Sequence, residues 1–159
     1  KAGAEAPALF EAVAAEAQKK IASFDAETLA NIVWAFATTG AEAPQLFEAV
    51  ANEAPRNLTA FSPRELANTA WAFATAPPSP ANRALLDAVA AESTKKMHAF
   101  NSQDLANTAW AFATARVEAP ALFEKVASES SRKIATFKPQ ELSNVVWAYA
   151  TAGVSAPAL

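Results

Sequence analysis

The 159-residue chain contains no cysteine, one histidine and three glycines. The lack of cysteine excludes disulfides, thiolate zinc sites and cysteine nucleophiles. The single histidine, His98, leaves a histidine triad or a multi-histidine metal site without support, and no glycine-rich phosphate loop occurs. No apolar run is as long as a membrane span, and residues 1–7 have no signal-peptide-like apolar segment. We therefore predict a protein that is not an enzyme, with no cofactor, no metal, no membrane contact and no small-molecule substrate.

Alanine, by contrast, accounts for 44 of the 159 residues, and hydrophobic residues make up 52% of the chain. Alanine is the best helix former, and scarce glycine suits helices better than turn-rich sheets. The formal net charge of −3 means that the whole molecule is not a polycation. The composition therefore predicts an all-α protein whose partners are not selected by overall positive charge.

A fixed sequence period dominates the chain. The four tryptophans are separated by 37, 39 and 37 residues, and columns of phenylalanine, leucine and asparagine repeat the same intervals. Such a period is the signature of a tandem repeat array. The two extra residues of the second interval fall in a Pro-rich stretch, which is typical of a tolerant loop. We predict one array with units at about 6–42, 43–79, 80–118 and 119–155, and the start of a truncated fifth unit at 156–159.

Each unit is predicted to form two helices. The first helix begins at an Ala-Pro pair, since proline is tolerated in the first helical turn. The second begins after the phenylalanine column, at the N-caps Asp25, Ser62, Asn101 and Lys138. Pro55 falls inside the first helix of the second unit and should break or kink it. The predicted fold is an α-solenoid (superhelix) of about four tandem helix-turn-helix repeats of about 37 residues.

The second helix of each unit has two repeated faces. In the first unit Leu29, Val33 and Phe36 share one face, whereas Asn31 and Trp34 lie roughly opposite. We expect this helix to lie between its own partner helix and the neighbouring unit. The asparagines either contact RNA bases or form a ladder of hydrogen bonds inside the array. The tryptophans either stack on bases or pack within the array.

Two adjacent columns near the end of the first helix hold seven of the 13 Lys and Arg residues. Stacked units would align them into a cationic stripe that tracks a phosphate backbone. The competing interpretation is helix-end stabilisation, because a glutamate precedes each column at the spacing of an intrahelical ion pair. The predicted RNA-binding residues are these seven cations and the four repeated asparagines: Lys19, Lys20, Arg56, Lys95, Lys96, Arg132, Lys133, Asn31, Asn68, Asn107 and Asn144.

The block Leu-Ala-Asn-x-x-Trp-Ala-Phe-Ala recurs in register, and its clearest copy, with variations, runs over residues 138–150. In this block the chain resembles the octotricopeptide repeat family and the related repeats of RAP-domain and FAST-kinase-like proteins. The resemblance covers essentially the whole chain. It implies paired-helix repeats that bind single-stranded organellar RNA in a chloroplast or mitochondrion and act in its processing, stability or translation. The chain departs from the family at residues 6–10, which lack the family's tryptophan-containing motif, and it has no RAP domain.

Two functions compete at this point. One is an RNA-binding repeat protein of organellar RNA metabolism, and the other is a protein–protein scaffold or structural subunit whose partners are other subunits of a large organellar assembly. If RNA is bound, base selection is expected from positions that differ between units on a fixed scaffold. The candidates lie near the start of the second helix and near the end of the first: Glu27, Arg64, Gln103, Gln140, and Gln18, Pro55, Thr94, Ser131.

Overall fold

The computed structural model describes residues 6–155, and within that range the chain forms eight α-helices, four 3-10 helices and no strand. The predicted all-α class is confirmed. The predicted start of a fifth unit at 156–159 lies outside the described residues. In the described part of the chain no helix is long and apolar enough to cross a membrane. The α-helices are α1 Pro7–Lys20, α2 Ala26–Thr39, α3 Pro44–Glu53, α4 Pro63–Thr75, α5 Pro80–Lys96, α6 Ser102–Ala115, α7 Pro120–Lys133 and α8 Pro139–Ala152.

Local sequence signals determine where these helices begin and end. The Asp25 carboxylate accepts a hydrogen bond from the Thr28 N–H at 2.8 Å, which caps the start of α2. Ser62 and Asn101 take part in capping boxes at the starts of α4 and α6. Gly40 ends α2 in the left-handed conformation, with φ of 69°, which glycine adopts without steric cost. The predicted caps of these three helices are therefore confirmed.

Pro55 has the predicted effect on α3. This helix ends at Glu53, and the chain continues as a 3-10 helix over Ala54–Ala60. A proline ring has no N–H to donate and clashes with the preceding turn, so the α-helical pattern cannot continue through it. In the other three units the first helix runs longer, and only three residues of 3-10 helix follow it.

The helices pack in two sets. Each odd-numbered helix contacts the next odd-numbered helix, and each even-numbered helix contacts the next even-numbered one. The even-numbered helices pack more closely, because fully buried alanines such as Ala30, Ala70 and Ala109 let their backbones approach. The even-numbered set therefore forms the tighter side of the array.

Aromatic pairs join the two helices of a unit. The rings of Phe10 and Phe36 meet edge to face with their centroids 5.2 Å apart, and Phe47 and Phe73 meet in the same way at 5.1 Å. In the last unit Phe123 pairs with Tyr149, whose hydroxyl donates to the Phe123 carbonyl. Burial raises the pKa of Tyr149, so this hydroxyl keeps its proton and remains a donor.

Two fully buried threonines, Thr69 and Thr108, lie on the close-packed even-numbered helices. Within the described residues their hydroxyls have no hydrogen-bond partner. The same repeat position holds Ile32 in the first unit and Val145 in the fourth. These hydroxyls are therefore buried at a position where an apolar side chain also fits.

Candidate nucleic-acid interface

The structure separates the seven predicted cations into two groups. We define the outer column as Lys19, Arg56, Lys95 and Arg132, whose side chains are 72%, 75%, 70% and 62% exposed. Each lies at or just after the end of an odd-numbered helix, where a cation complements the helix dipole. The outer column therefore presents one accessible positive charge per unit.

Each outer-column cation also contacts a glutamate three residues earlier. The distances run from 3.4 Å for Arg56 and Glu53 to 2.6 Å for Arg132 and Glu129. Hydrogen bonds from their cationic partners hold the pKa of Glu92 and Glu129 below the ordinary value. These four glutamates (Glu16, Glu53, Glu92 and Glu129) oppose seven cations, so the eleven residues of these ion pairs together carry a formal charge of +3 on a chain of net charge −3.

We define the inner column as the next residue in each unit: Lys20, Asn57, Lys96 and Lys133. Lys96 donates to the backbone carbonyls of Thr59 and Phe61, at 2.7 and 2.8 Å. Lys133 donates in the same way to the carbonyls of His98 and Phe100, at 2.8 and 2.6 Å.

In both cases the carbonyls belong to the preceding unit, at the turn between its two helices. The two lysine side chains are only 27% and 21% exposed. Sequence reasoning places Lys96 and Lys133 among the RNA-binding residues, whereas in the structure they join successive units.

The other two members of the inner column make no such contact within residues 6–155. Asn57 is exposed, and its shorter side chain replaces the lysine where the second unit meets the first. Lys20 is 62% exposed and pairs with Glu16 at 3.0 Å. Lys20 therefore has the exposed positive charge that the sequence predicts for every lysine of the inner column.

A second surface lies on the outward side of the even-numbered helices. We call it the Asn–Trp face. In each unit it consists of four residues, one from each of four repeated columns. Their spacing of i, i+4, i+7 and i+11 places the four residues on one face of the helix. In the fourth unit the Gln140 side-chain amide donates to the Asn144 Oδ1 at 3.0 Å, so the first two positions are in contact there. The four columns are Glu27, Arg64, Gln103, Gln140; Asn31, Asn68, Asn107, Asn144; Trp34, Trp71, Trp110, Trp147; and Thr38, Thr75, Thr114, Thr151.

The tryptophans of this face form a ladder along the array. The indole centroids of Trp71 and Trp110 are 6.3 Å apart, as are those of Trp110 and Trp147, with interplanar angles of 28° and 26°. Trp71 and Trp110 are half-buried, while Trp34 is 43% exposed and Trp147 is 46% exposed. The prediction that a neighbouring unit covers this face is therefore only partly right, because neighbouring indoles cover one another while the face stays open to solvent.

Within residues 6–155 the four asparagines do not form a ladder of hydrogen bonds between units. Asn31 is exposed, and Asn68, Asn107 and Asn144 are half-buried. Of the four asparagine side chains, only that of Asn144 has a hydrogen-bond partner within the described residues. This partner is Gln140, on the same helix. The amides of Asn68 and Asn107 are therefore accessible donors and acceptors on a partly apolar surface.

The cationic columns and the start of the Asn–Trp face lie along the same edge. Both flank the short turns that join an odd-numbered helix to the following even-numbered one. Burial raises the pKa of Asp104, and the nearby charges of Arg64 and Lys133 partly oppose that rise. Asp104 therefore lies in the electrostatic range of both the Asn–Trp face and the inner column.

Two of the other positions that vary between units are engaged locally. Gln18 donates to the Ala14 carbonyl at 3.1 Å, and Thr94 donates to the Ala90 carbonyl at 2.8 Å, each within its own helix. Among residues 6–155 no cluster of His, Cys, Asp and Glu is arranged to hold a metal ion. His98 is exposed, and its backbone carbonyl accepts a hydrogen bond from Lys133.

The model of the RNA-editing substrate-binding complex 6 protein family (RESC6) matches residues 1–156. The chain belongs to this family. No curated protein matches the chain. The RESC6 match connects the chain with an RNA-related helical family, and its description does not name the octotricopeptide repeats that the sequence block resembles.

Proposed function

We propose that this RESC6-family chain is an RNA-binding α-solenoid (superhelix) that holds single-stranded RNA along its outer column. The observation that carries the proposal is the exposure of this column, with side chains 62–75% accessible at the same position in all four units. A row of accessible cations attracts a phosphate backbone and releases its counterions. The family description, an RNA-editing substrate-binding complex protein, supports RNA as the ligand and other complex subunits as partners.

The same proposal includes the unit boundaries, the superhelical arrangement, the lack of catalysis and the compartment. The units are 6–42, 43–79, 80–118 and 119–155, each with one odd-numbered and one even-numbered helix. The closer packing of the even-numbered helices favours a superhelix with that set on its concave side. The array is non-catalytic, and its resemblance to octotricopeptide repeats is one of repeat design. An RNA-editing family favours the mitochondrion over the chloroplast as its compartment.

The salt dependence of binding tests the proposal. Four phosphate contacts give a slope of about −3 in a plot of log K against log salt for a single strand, at about 0.7 per contact. Changing Arg56, Lys95 and Arg132 to Gln should weaken binding to a random single-stranded RNA pool and reduce the slope by about two.

The matched control removes the same charge elsewhere, by changing Arg83, Arg116 and Lys125 to Gln. These three residues are exposed and lie outside the cationic columns. This control should keep the wild-type slope. Equal losses in both variants would show that overall charge, and not the outer column, attracts the RNA.

A protein–protein scaffold is the second candidate. One observation favours it, namely that a glutamate pairs with each outer-column cation and so reduces the charge available to RNA. No RNA binding by the folded wild type at low salt would select this function, and a search for protein partners would follow.

A further inference from the structure

We infer that the Asn–Trp face contacts the bases of the bound RNA, one base per unit, and that its first position determines which base each unit prefers. This inference rests on the proposed RNA-binding function and adds the recognition surface to it. In the proposed function the outer column contacts only the phosphates of the RNA. Phosphate contacts carry no sequence information. A second surface on the same edge is therefore required for any sequence preference.

The ladder of indoles, half-buried in the interior of the array, provides the apolar part of this surface. Aromatic side chains are the usual platforms for unstacked RNA bases. In the interior of the array each indole is half-buried against its neighbour, so its orientation is set before RNA arrives. Beside the ladder, the accessible amides of Asn68 and Asn107 each offer a donor and an acceptor to a base edge.

The first position of the Asn–Trp face is the only one that differs between units. The second, third and fourth positions are Asn, Trp and Thr in all four units. The first is Glu27, Arg64, Gln103 or Gln140, and each of these side chains is exposed. Arg64 makes no ion pair within residues 6–155, so its guanidinium is free to contact a ligand. A constant platform with one variable polar side chain is suited to base selection.

The chemistry of the four side chains gives a specific preference. Arginine offers two parallel donors that match the O6 and N7 acceptors of guanine, so Arg64 should select guanine in the second unit. Glutamine pairs a donor with an acceptor and suits the N6 and N7 of adenine, so Gln103 and Gln140 should both select adenine. Glu27 only accepts, which favours the amino group of cytosine.

Selection from a random single-stranded RNA pool tests this inference. The wild type should enrich guanine next to two positions that share a common preference for adenine. Arg64→Gln makes the Asn–Trp face of the second unit identical to those of the third and fourth. We expect that variant to replace the guanine preference with adenine, by roughly tenfold or more, the effect of one bidentate contact.

Arg64→Lys is the matched control, since it keeps the charge and loses the paired donors. It should retain the affinity and the salt slope while the guanine preference falls. Asn107→Leu is a second variant, and it should weaken base preference at the third unit with an unchanged salt slope. Circular dichroism should show that all three variants remain folded, because Arg64 is exposed and Asn107 is only half-buried.

The outcomes separate this inference from the proposed function. Salt-dependent binding with no base preference, or a guanine preference that survives Arg64→Gln, would overturn the assignment of the Asn–Trp face while the outer column remains an RNA contact. No binding by the wild type would overturn both.

Discussion

Lys133 should contribute measurably to the stability of the array through its contact with the preceding unit. Its ammonium group donates to the carbonyls of His98 and Phe100, and it lies 3.4 Å from Glu129. The side chain is only 21% exposed, so water cannot readily replace these contacts. Changing Lys133 to Met keeps the length and apolar stem of the side chain and removes all three interactions.

The size of the effect follows from those contacts. A hydrogen bond from a charged group contributes about 1.5–3 kcal/mol when it is shielded from water. The hydrogen bond to the His98 carbonyl is exposed to water and contributes little to the free energy of unfolding. The hydrogen bond to the Phe100 carbonyl is partly buried and contributes nearly its full amount. We therefore expect Lys133→Met to lower the free energy of unfolding by about 2 kcal/mol, which corresponds to a fall of roughly 4–8 °C in Tm for a chain of this size.

The inner column supplies two controls of its own. Lys20 has the same neighbouring glutamate but no contact with backbone carbonyls of another unit within residues 6–155, so Lys20→Met should leave stability almost unchanged. Asn57 occupies the same position where the second unit meets the first. Asn57→Lys should reach the corresponding carbonyls of Ala22 and Phe24 and raise the free energy of unfolding by about 1 kcal/mol.

Urea denaturation followed by tryptophan fluorescence measures these changes, and amide hydrogen exchange locates them. Because stacked repeats are stabilised by nearest-neighbour interfaces, the loss of protection in Lys133→Met should be greatest in α6 and α7. A loss below about 0.5 kcal/mol, or an equal loss in Lys20→Met, would refute the reasoning. In that case Lys133 would be as available to a ligand as the outer column.

Three further predictions concern polar groups that are buried or half-buried. Thr108→Val should stabilise the protein by about 1 kcal/mol, because it replaces a buried hydroxyl that has no hydrogen-bond partner among the described residues. The opposite change at the same repeat position, Val145→Thr, should destabilise the protein by a similar amount. The midpoints of urea denaturation measure both effects. Tyr149→Phe should cost about 1 kcal/mol by removing the hydrogen bond from the buried Tyr149 hydroxyl to the Phe123 carbonyl, and an unchanged midpoint would contradict that bond. The folded state holds the pKa of Glu129 below its ordinary value of 4.5. The Glu129 carboxylate therefore stabilises the protein above that pH, and this contribution is lost as the pH falls through the lower folded-state pKa. Glu129→Gln should accordingly lose less stability on acidification than the wild type.

Much of the local structure could be predicted from the sequence because its causes act over a few residues. The caps at Asp25, Ser62 and Asn101, the break at Pro55 and the left-handed end at Gly40 each depend on the chemistry of one residue and its near neighbours. The pairing of the outer column with its glutamates also follows from the sequence, since an interval of three residues places both side chains on one helix face.

The sequence by itself thus determined the period, the helix ends and the alignment of cations and asparagines into columns. Only the tertiary structure decided which members of those columns are accessible. The carbonyls bound by Lys96 lie 37 and 35 residues earlier in the chain, and no local pattern indicates that the stacking of units brings them within reach. The openness of the Asn–Trp face was decided in the same way, because contacts between distant parts of the chain set which side of an even-numbered helix is covered.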